Sequence, residues 1–104
     1  MKALIKLIRI TAITGLLITA QSAVAGDPAA GKALSKTCVS CHGEAGVSAI
    51  DTTPNLAGQK AAYLIKSTKD YRDGKRKDMM MESMVKSLSD ADIENISAYY
   101  SSLK

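Results

Sequence analysis

The sequence contains no phenylalanine and no tryptophan, so its four tyrosines are the only large aromatic side chains. It also has just two cysteines and one histidine in 104 residues. Because aromatic side chains dominate the buried area of most small cores, this chain is poorly equipped to build a self-sufficient core. A zinc site of the usual kind needs four Cys or His ligands, and the three present here do not supply them.

A long membrane-spanning run is also missing. The apolar run near the N terminus, residues 10–20, has about eleven residues, whereas a helix needs ~20 to cross a bilayer. Positive charge precedes this run, and Ala23-Val24-Ala25 follows it as a small-x-small cleavage site. This order is typical of a secretory signal peptide and disfavours the alternative, an uncleaved membrane anchor. We therefore expect residues 1–25 to be removed and residues 26–104 to form one domain in the bacterial periplasm, without stable membrane insertion.

Most of the net positive charge of the chain lies in the predicted signal peptide. Three of the 14 basic residues lie there with no acidic residue, so the +4 of the full chain falls close to neutral after cleavage. Nucleic acid binding is not expected, since no basic patch is interleaved with aromatic residues. The basic segment 66–77 is interrupted by Asp70 and Asp73. It is interpreted as a solvated mixed-charge surface, with docking of an acidic partner as the alternative.

Both cysteines and the histidine fall in one short motif, Cys38-Val-Ser-Cys41-His42. Two thiols three positions apart can bond to the two vinyl groups on one edge of a porphyrin, and His42 can then bind the iron. The motif predicts one covalently attached haem c per chain, with His42 as the proximal ligand. The alternatives are a structural disulfide, half of a zinc site and a thioredoxin-like dithiol, which needs a βαβ context that the sequence does not show.

The hydrophobic periodicity of residues 26–104 predicts an all-α domain with no convincing strand. Asp27-Pro28 should begin a helix that continues into the haem motif. A glycine-containing loop, 43–55, should follow, then a helix after Gly58 and a last helix capped by Ser89. A core this small is marginal, so we expect the protein to be weakly folded until haem supplies an apolar surface.

A six-coordinate haem needs a second axial ligand, and the candidates are the clustered methionines Met79, Met80, Met81 and Met84. A thioether is a soft, neutral ligand that raises the reduction potential relative to two histidines, which suits an electron carrier. The same segment also fits a purely structural apolar helix face. Spacing alone does not choose one methionine as the ligand.

Further motifs accompany the haem motif: Gly31, Pro54-Asn-Leu-Ala-Gly-Gln59, Tyr63-Leu64, Tyr71-Arg-Asp-Gly74 with Arg76, Met81-Glu-Ser-Met84, and Leu88-Ser-Asp-Ala-Asp-Ile93 leading to Ala98-Tyr99-Tyr100. Together they resemble the class I c-type cytochromes, and within these the bacterial cytochrome c4/c5-like group. The resemblance extends over essentially all of residues 26–104. It implies a small class I cytochrome c fold, with about four helices around one covalently attached haem. Many cytochromes c4 have two such domains, but this chain has one haem motif and is more similar to a single-haem member.

The resemblance also implies roles for residues around the haem. Met81 is the axial ligand by this likeness, and Met84 is a packing residue. The Pro54 carbonyl accepts a hydrogen bond from the ring N–H of His42, which fixes the orientation of the imidazole.

Other implied features lie further from the iron. Tyr63 and Arg76 are expected near the haem propionates, although Arg76 also fits a solvated charge in a basic run. The first and last helices are expected to cross at Gly31 and Tyr99, where a missing side chain admits an aromatic ring.

These inferences predict a periplasmic one-electron carrier that works between redox partner proteins, a reductase and an oxidase, and is not itself an enzyme. One alternative is an open-site haem protein that binds a small gas or peroxide, which requires a vacant or displaceable position on the Met81 side. The chain has no second histidine to serve as an acid–base group, which argues against efficient peroxidase chemistry. The other alternative is a haem subunit of a larger oxidoreductase.

Overall fold

The computed structural model describes residues 11–16 and 26–104. Within these residues the chain forms helices and no strands, which confirms the all-α prediction. The five helices are α1 (Pro28–Leu34), α2 (Val39–His42), α3 (Ala61–Arg72), α4 (Met79–Val85) and α5 (Asp90–Ser102). A 3-10 turn, Ser35–Thr37, joins α1 to α2.

Most of the predicted signal peptide lies outside the described residues, and its cleavage stays a prediction. The part that is described, residues 11–16, is exposed and has no regular secondary structure. No helix in the described parts of the chain is long and apolar enough to cross a bilayer.

The sequence predicted that the first helix continues into the haem motif, but in the structure it does not. It ends at Leu34, and the 3-10 turn redirects the chain before α2. Ser35 is buried, and its hydroxyl donates a hydrogen bond to the Lys32 carbonyl at 2.8 Å. Serine side chains that bond to nearby carbonyls compete with regular helix geometry, which explains the break at this residue.

Helices α1 and α5 cross at very close range. A Cβ atom on Gly31 would lie 1.9 Å from the carbonyl oxygen of Asn95, a separation that no side chain could adopt. The backbone amide of Asp27 also donates to the Asn95 side chain at 2.8 Å. The atoms nearest to that Cβ position are thus backbone atoms of Asn95 and Ile96 on α5, whereas the family resemblance had implied the Tyr99 ring at this crossing. A glycine is needed because the two backbones meet.

The C-terminal helix provides most of the buried core. Ile93, Ile96 and Tyr100 are buried along one face, and Leu64 of α3 packs against the latter two. The predicted cap is present, because Ser89 accepts from the Asp92 amide and the Asp92 side chain accepts from the Ser89 amide. This reciprocal pairing satisfies two amides at the start of the helix.

Glycines in the loop between α2 and α3 allow its tight turns and its contact with the C-terminal helix. Gly43 has φ +85°, and a Cβ atom there would lie 2.0 Å from the Val47 carbonyl. The Gly46 carbonyl accepts from two amides of the loop, and the Gly58 amide donates to the Tyr100 carbonyl at 2.9 Å. These bonds fix the loop that carries Pro54 beside α2.

Candidate haem site

A cavity of about 620 Å³ brings together every residue that the sequence singled out as a site residue. Those residues are Cys38, Cys41, His42, Pro54, Tyr63, Arg76, Met81 and Met84. The volume lies in the range typical of cofactor and ligand pockets. Apolar side chains from three parts of the fold, Leu56, Leu64 and Ile96, complete the lining.

The two cysteines are placed for covalent attachment at the edge of this cavity. Both are free thiols, and the chain between them forms the first turn of α2. Cys41 is exposed, whereas Cys38 is half-buried against the core around Tyr100. Burial raises the pKa of the Cys38 thiol above its usual value.

His42 is buried and held in one orientation. Its Nδ1 atom lies 2.8 Å from the carbonyl oxygen of Pro54. A carbonyl can only accept, so Nδ1 must carry the proton and donate it in this bond. The other ring nitrogen, Nε2, is then left with a free lone pair, which is the form of histidine that binds a metal.

The four clustered methionines differ in their exposure. Met79 is 90% exposed and does not line the cavity, whereas Met80, Met81 and Met84 do. Met80 is 65% exposed and Met84 40%, while Met81 is only partly exposed. Spacing could not separate these residues, but burial favours Met81.

The backbone of Met81 is held by the cap of its own helix. The Asp78 carboxylate accepts a hydrogen bond from the Met81 amide at 2.9 Å, and Asp78 lies at the N-cap of α4. The amide that donates belongs to the third residue after the capping aspartate, as is usual at the start of a helix. This role of Asp78 was not predicted from the sequence, although Asp before an apolar stretch is a recognised capping signal.

Arg76 is oriented by two neighbours at the edge of the cavity. Its guanidinium carbon lies 4.6 Å from the centre of the Tyr71 ring, and its Nη1 donates to the Ser67 hydroxyl at 2.9 Å. Ser67 and Tyr71 also line the cavity. The remaining guanidinium donors are available to a carboxylate, the group that this side chain binds best. Tyr63, which is half-exposed, lies on the same cavity.

Two buried hydroxyls on α5 were not anticipated from the sequence. Ser97 and Tyr100 are each 1% exposed, both line the cavity, and neither hydroxyl has a hydrogen-bond partner among the described residues. Burial, followed by the proximity of Cys38, raises the pKa of Tyr100 to about 12. The tyrosine therefore stays protonated at neutral pH and adds no charge to the cavity.

The donor set fits a covalently attached haem. Two thiols stand ready for attachment, a neutral imidazole offers its free nitrogen, and a thioether lies in the same cavity. Imidazole and thioether are the usual pair of axial ligands in c-type electron-transfer proteins. A small helical domain with these two thiols, an imidazole and a thioether in one cavity is characteristic of c-type haem proteins.

Comparison with known proteins gives the family. The Cytochrome c family model matches residues 28–104, so the chain belongs to the cytochrome c family. It is 52% identical over 81 residues to cytochrome c-554(548) of Halomonas halodenitrificans, which covers 75% of this chain and 98% of that relative. It is 41% identical over 103 residues to cytochrome c4 of Pseudomonas aeruginosa, covering 99% of this chain and 49% of that protein.

A solved structure has the same fold. Reduced recombinant cytochrome c4 from Pseudomonas stutzeri superposes with a TM-score of 0.74 at 40% identity, covering 77% of this chain and 47% of that chain. The chain thus spans about half the length of the cytochromes c4 that it matches and nearly all of cytochrome c-554(548). These relationships confirm the predicted class I cytochrome c fold, the haem c cofactor and the electron-carrier function.

Proposed function

We propose that this protein is a one-electron carrier in which His42 and Met81 are the two axial ligands of a haem bound to Cys38 and Cys41. The hydrogen bond from His42 to Pro54 carries the proposal, because it prepares the imidazole for the metal in a cavity that also contains Met81. The haem, when bound, supplies an iron that changes by one electron.

His42 and Pro54 act together in this proposal. The Pro54 carbonyl holds the proton on Nδ1 of His42. Nε2 would therefore stay available to the haem iron in both its ferric and its ferrous state. A hydrogen-bonded imidazole is also a more basic ligand, which tunes the affinity for ferric iron. The burial of His42 keeps water away from this bond.

Met81 would supply the second ligand, because it lines the same cavity as His42. Its helix begins at an Asp78 cap that fixes the Met81 backbone, and its side chain is partly buried. A thioether ligand there would favour ferrous iron and would occupy the position that a gas or peroxide needs, so the haem would exchange electrons without binding a substrate. Electron transfer between partner proteins, rather than catalysis, is the function that such a closed site supports.

Arg76 is proposed to neutralise the propionate edge of the cofactor, and Tyr63 on the same cavity would donate a hydrogen bond there. The Ser67 hydroxyl and the Tyr71 ring hold the Arg76 guanidinium in place before any carboxylate binds. A preorganised guanidinium loses less side-chain entropy when it forms a bidentate bond.

We further propose that the mature protein, residues 26–104, works in the periplasm after removal of residues 1–25. The charge pattern, the short apolar run and the small-x-small site of that segment support export. The relatives named above are bacterial. Its partners are expected to be other redox proteins.

The ligand assignment can be tested on the holoprotein by absorption spectra of the reduced form before and after addition of carbon monoxide. We expect no response from the unaltered protein or from Met80→Ala, which removes a neighbouring, more exposed methionine. Met81→Ala should bind carbon monoxide readily. If Met84→Ala opens the site and Met81→Ala does not, Met84 is the ligand; binding by the unaltered protein would overturn the closed-site proposal.

A further inference from the structure

The helix that carries Met81 has little support from other helices. Helix α4 has only seven residues and packs mainly against α3, whereas α1 and α5 cross extensively. Val85 is the one buried residue of α4, and Met79 and Met80 at its start are exposed. The position of Met81 must therefore depend on what anchors the two ends of this short helix.

The N-terminal end is anchored within the segment itself, by the Asp78 cap. The C-terminal end is anchored from outside, because Arg72 at the end of α3 donates from Nη1 to the carbonyl oxygen of Leu88 at 3.2 Å. Leu88 lies beyond the C-cap of α4, and its amide donates to the Val85 carbonyl at 3.0 Å. The Leu88 contact thus links α3 to the last turn of α4.

Arg72 binds two acidic side chains at the same time. Its Nη1 lies 2.7 Å from Asp90 at the start of α5, and its Nε lies 2.9 Å from Asp73. The Arg72 side chain is only 19% exposed, so these bonds are partly shielded from water. One guanidinium therefore joins the end of α3, the chain after α4 and the beginning of α5.

We infer that Arg72 is a positioning residue that holds Met81 on the iron by anchoring the C-terminal end of the α4 segment. This inference rests on the proposed function, in which Met81 is the axial ligand. Met81 and Val85 lie four residues apart on one face of α4, and the Leu88 amide bonds to the Val85 carbonyl beyond the end of that helix. All three residues line the cavity, so a movement of Leu88 would pass through Val85 to Met81.

The consequence of losing Arg72 is a larger population of molecules in which Met81 has left the iron. Local opening of a weakly supported segment needs less free energy than global unfolding. An external ligand that binds only the opened site gains apparent affinity in proportion to that population. Each ion pair has an exposed carboxylate and contributes little alone, but binding both carboxylates and the Leu88 carbonyl at once needs the several fixed donors of an arginine.

Imidazole titration of the oxidised holoprotein, followed by absorption, measures this opening. Arg72→Gln is expected to bind imidazole ~5-fold more tightly than the unaltered protein, as its opened population rises by that factor. Arg72→Lys keeps the charge and loses the fork, so a smaller increase is expected. Lys66→Gln is the matched control: it breaks the Lys66–Asp70 pair on the same helix, which does not reach Leu88, and should leave imidazole binding unchanged.

A second measurement shows whether Arg72 acts through Met81. Met81→Ala alone should raise imidazole affinity strongly, and adding Arg72→Gln to it should cause no further change. An equal effect of Arg72→Gln in both backgrounds would mean a general loosening of the cavity and overturn the inference. If Arg72→Gln has no effect while Met81→Ala does, only the inference fails; if Met81→Ala has no effect either, the ligand assignment fails with it.

Discussion

Helix α5 and the methionine segment, residues 78–88, both line the haem cavity, but they are held by different kinds of contact. Helix α5 meets α1 backbone to backbone at Gly31 and buries Ile93, Ile96 and Tyr100. The methionine segment buries only Val85 from its helix and is held at its ends by side-chain hydrogen bonds from Asp78 and Arg72. Apolar burial and close backbone contact are lost only on global unfolding, whereas end bonds can break locally.

This difference suits the chemistry of the two sides. The covalent side must keep His42 fixed, and well-buried residues of α5 line the same cavity. On the other side, Met81 would bind the iron only through its sulfur, so its retention as a ligand would depend on how rarely the segment opens. Global stability should therefore depend mainly on α5 and its contacts, whereas retention of the methionine ligand should depend on residues 78–88. Substitutions in the two regions can separate these effects.

The largest effect is expected at the crossing of α1 and α5. Gly31→Ala places a Cβ atom 1.9 Å from the Asn95 carbonyl, and backbone cannot move aside as a flexible side chain can. Overpacking of this kind should lower the free energy of unfolding by ~3 kcal/mol, despite the better helix propensity of alanine. Thermal unfolding of the holoprotein measures the change.

The control for this substitution is Ala33→Val, which enlarges an exposed residue on the same helix. Its unfolding temperature should fall by less than that of Gly31→Ala. Equal shifts in the two variants would show that the crossing is less tight than the structure indicates.

A smaller effect is expected from removing the helix caps, and here the two regions can be compared directly. Ser89 caps α5 and Asp78 caps α4 with the same type of bond. Ser89→Ala should lower the free energy of unfolding by ~1 kcal/mol, because α5 is part of the global core. Asp78→Ala should lower it less, but should tighten imidazole binding, because the loss falls on the Met81 backbone.

Thermal unfolding should therefore show the larger loss of stability in Ser89→Ala, whereas imidazole titration should show the larger gain in affinity in Asp78→Ala. A Ser89→Ala protein that binds imidazole as tightly as Asp78→Ala would contradict the separation of the two regions. So would an Asp78→Ala protein that loses more global stability than Ser89→Ala.

The sequence predicted the parts of this structure that depend on local signals. The all-α class, the helix after Gly58 and the cap at Ser89 follow from periodicity and from residue types a few positions apart. The tertiary contacts were not predictable in this way. The neighbour of Gly31 on α5 depends on how the two backbones cross, and the Arg72–Leu88 bond joins residues 16 positions apart.

The site residues show the same limit. The motif brought Cys38, Cys41 and His42 together because they are adjacent in the chain, and the cavity contains them all. Three of the clustered methionines also reach the cavity, so spacing could not choose among them. Their differences in burial depend on how α4 packs in the fold, which the spacing of the methionines does not specify.

The smallest expected effect is a pH dependence of the bonds that hold the methionine segment. The hydrogen bond from Arg72 lowers the pKa of Asp73 below its usual value, and the charges of Arg72, Lys75 and Lys69 lower it further against an opposing effect of desolvation. A carboxylate with a lower pKa in the folded state stabilises that state above its unfolded pKa, and this contribution is lost as the pH falls through the folded value.

Urea unfolding of the holoprotein at a series of pH values tests this dependence. Between pH 7 and pH ~5 the unaltered protein should be more stable than Asp73→Asn by a constant amount, since an unperturbed aspartate titrates near pH ~3.9. Below that pH the two curves should converge, because Asp73 becomes protonated and Arg72 loses one of its two acidic partners. Gly31→Ala should run parallel to the unaltered protein throughout, since backbone contact at the crossing involves no titrating group. A constant difference between Asp73→Asn and the unaltered protein down to pH ~3 would show that the Arg72–Asp73 bond does not contribute to stability through its charge.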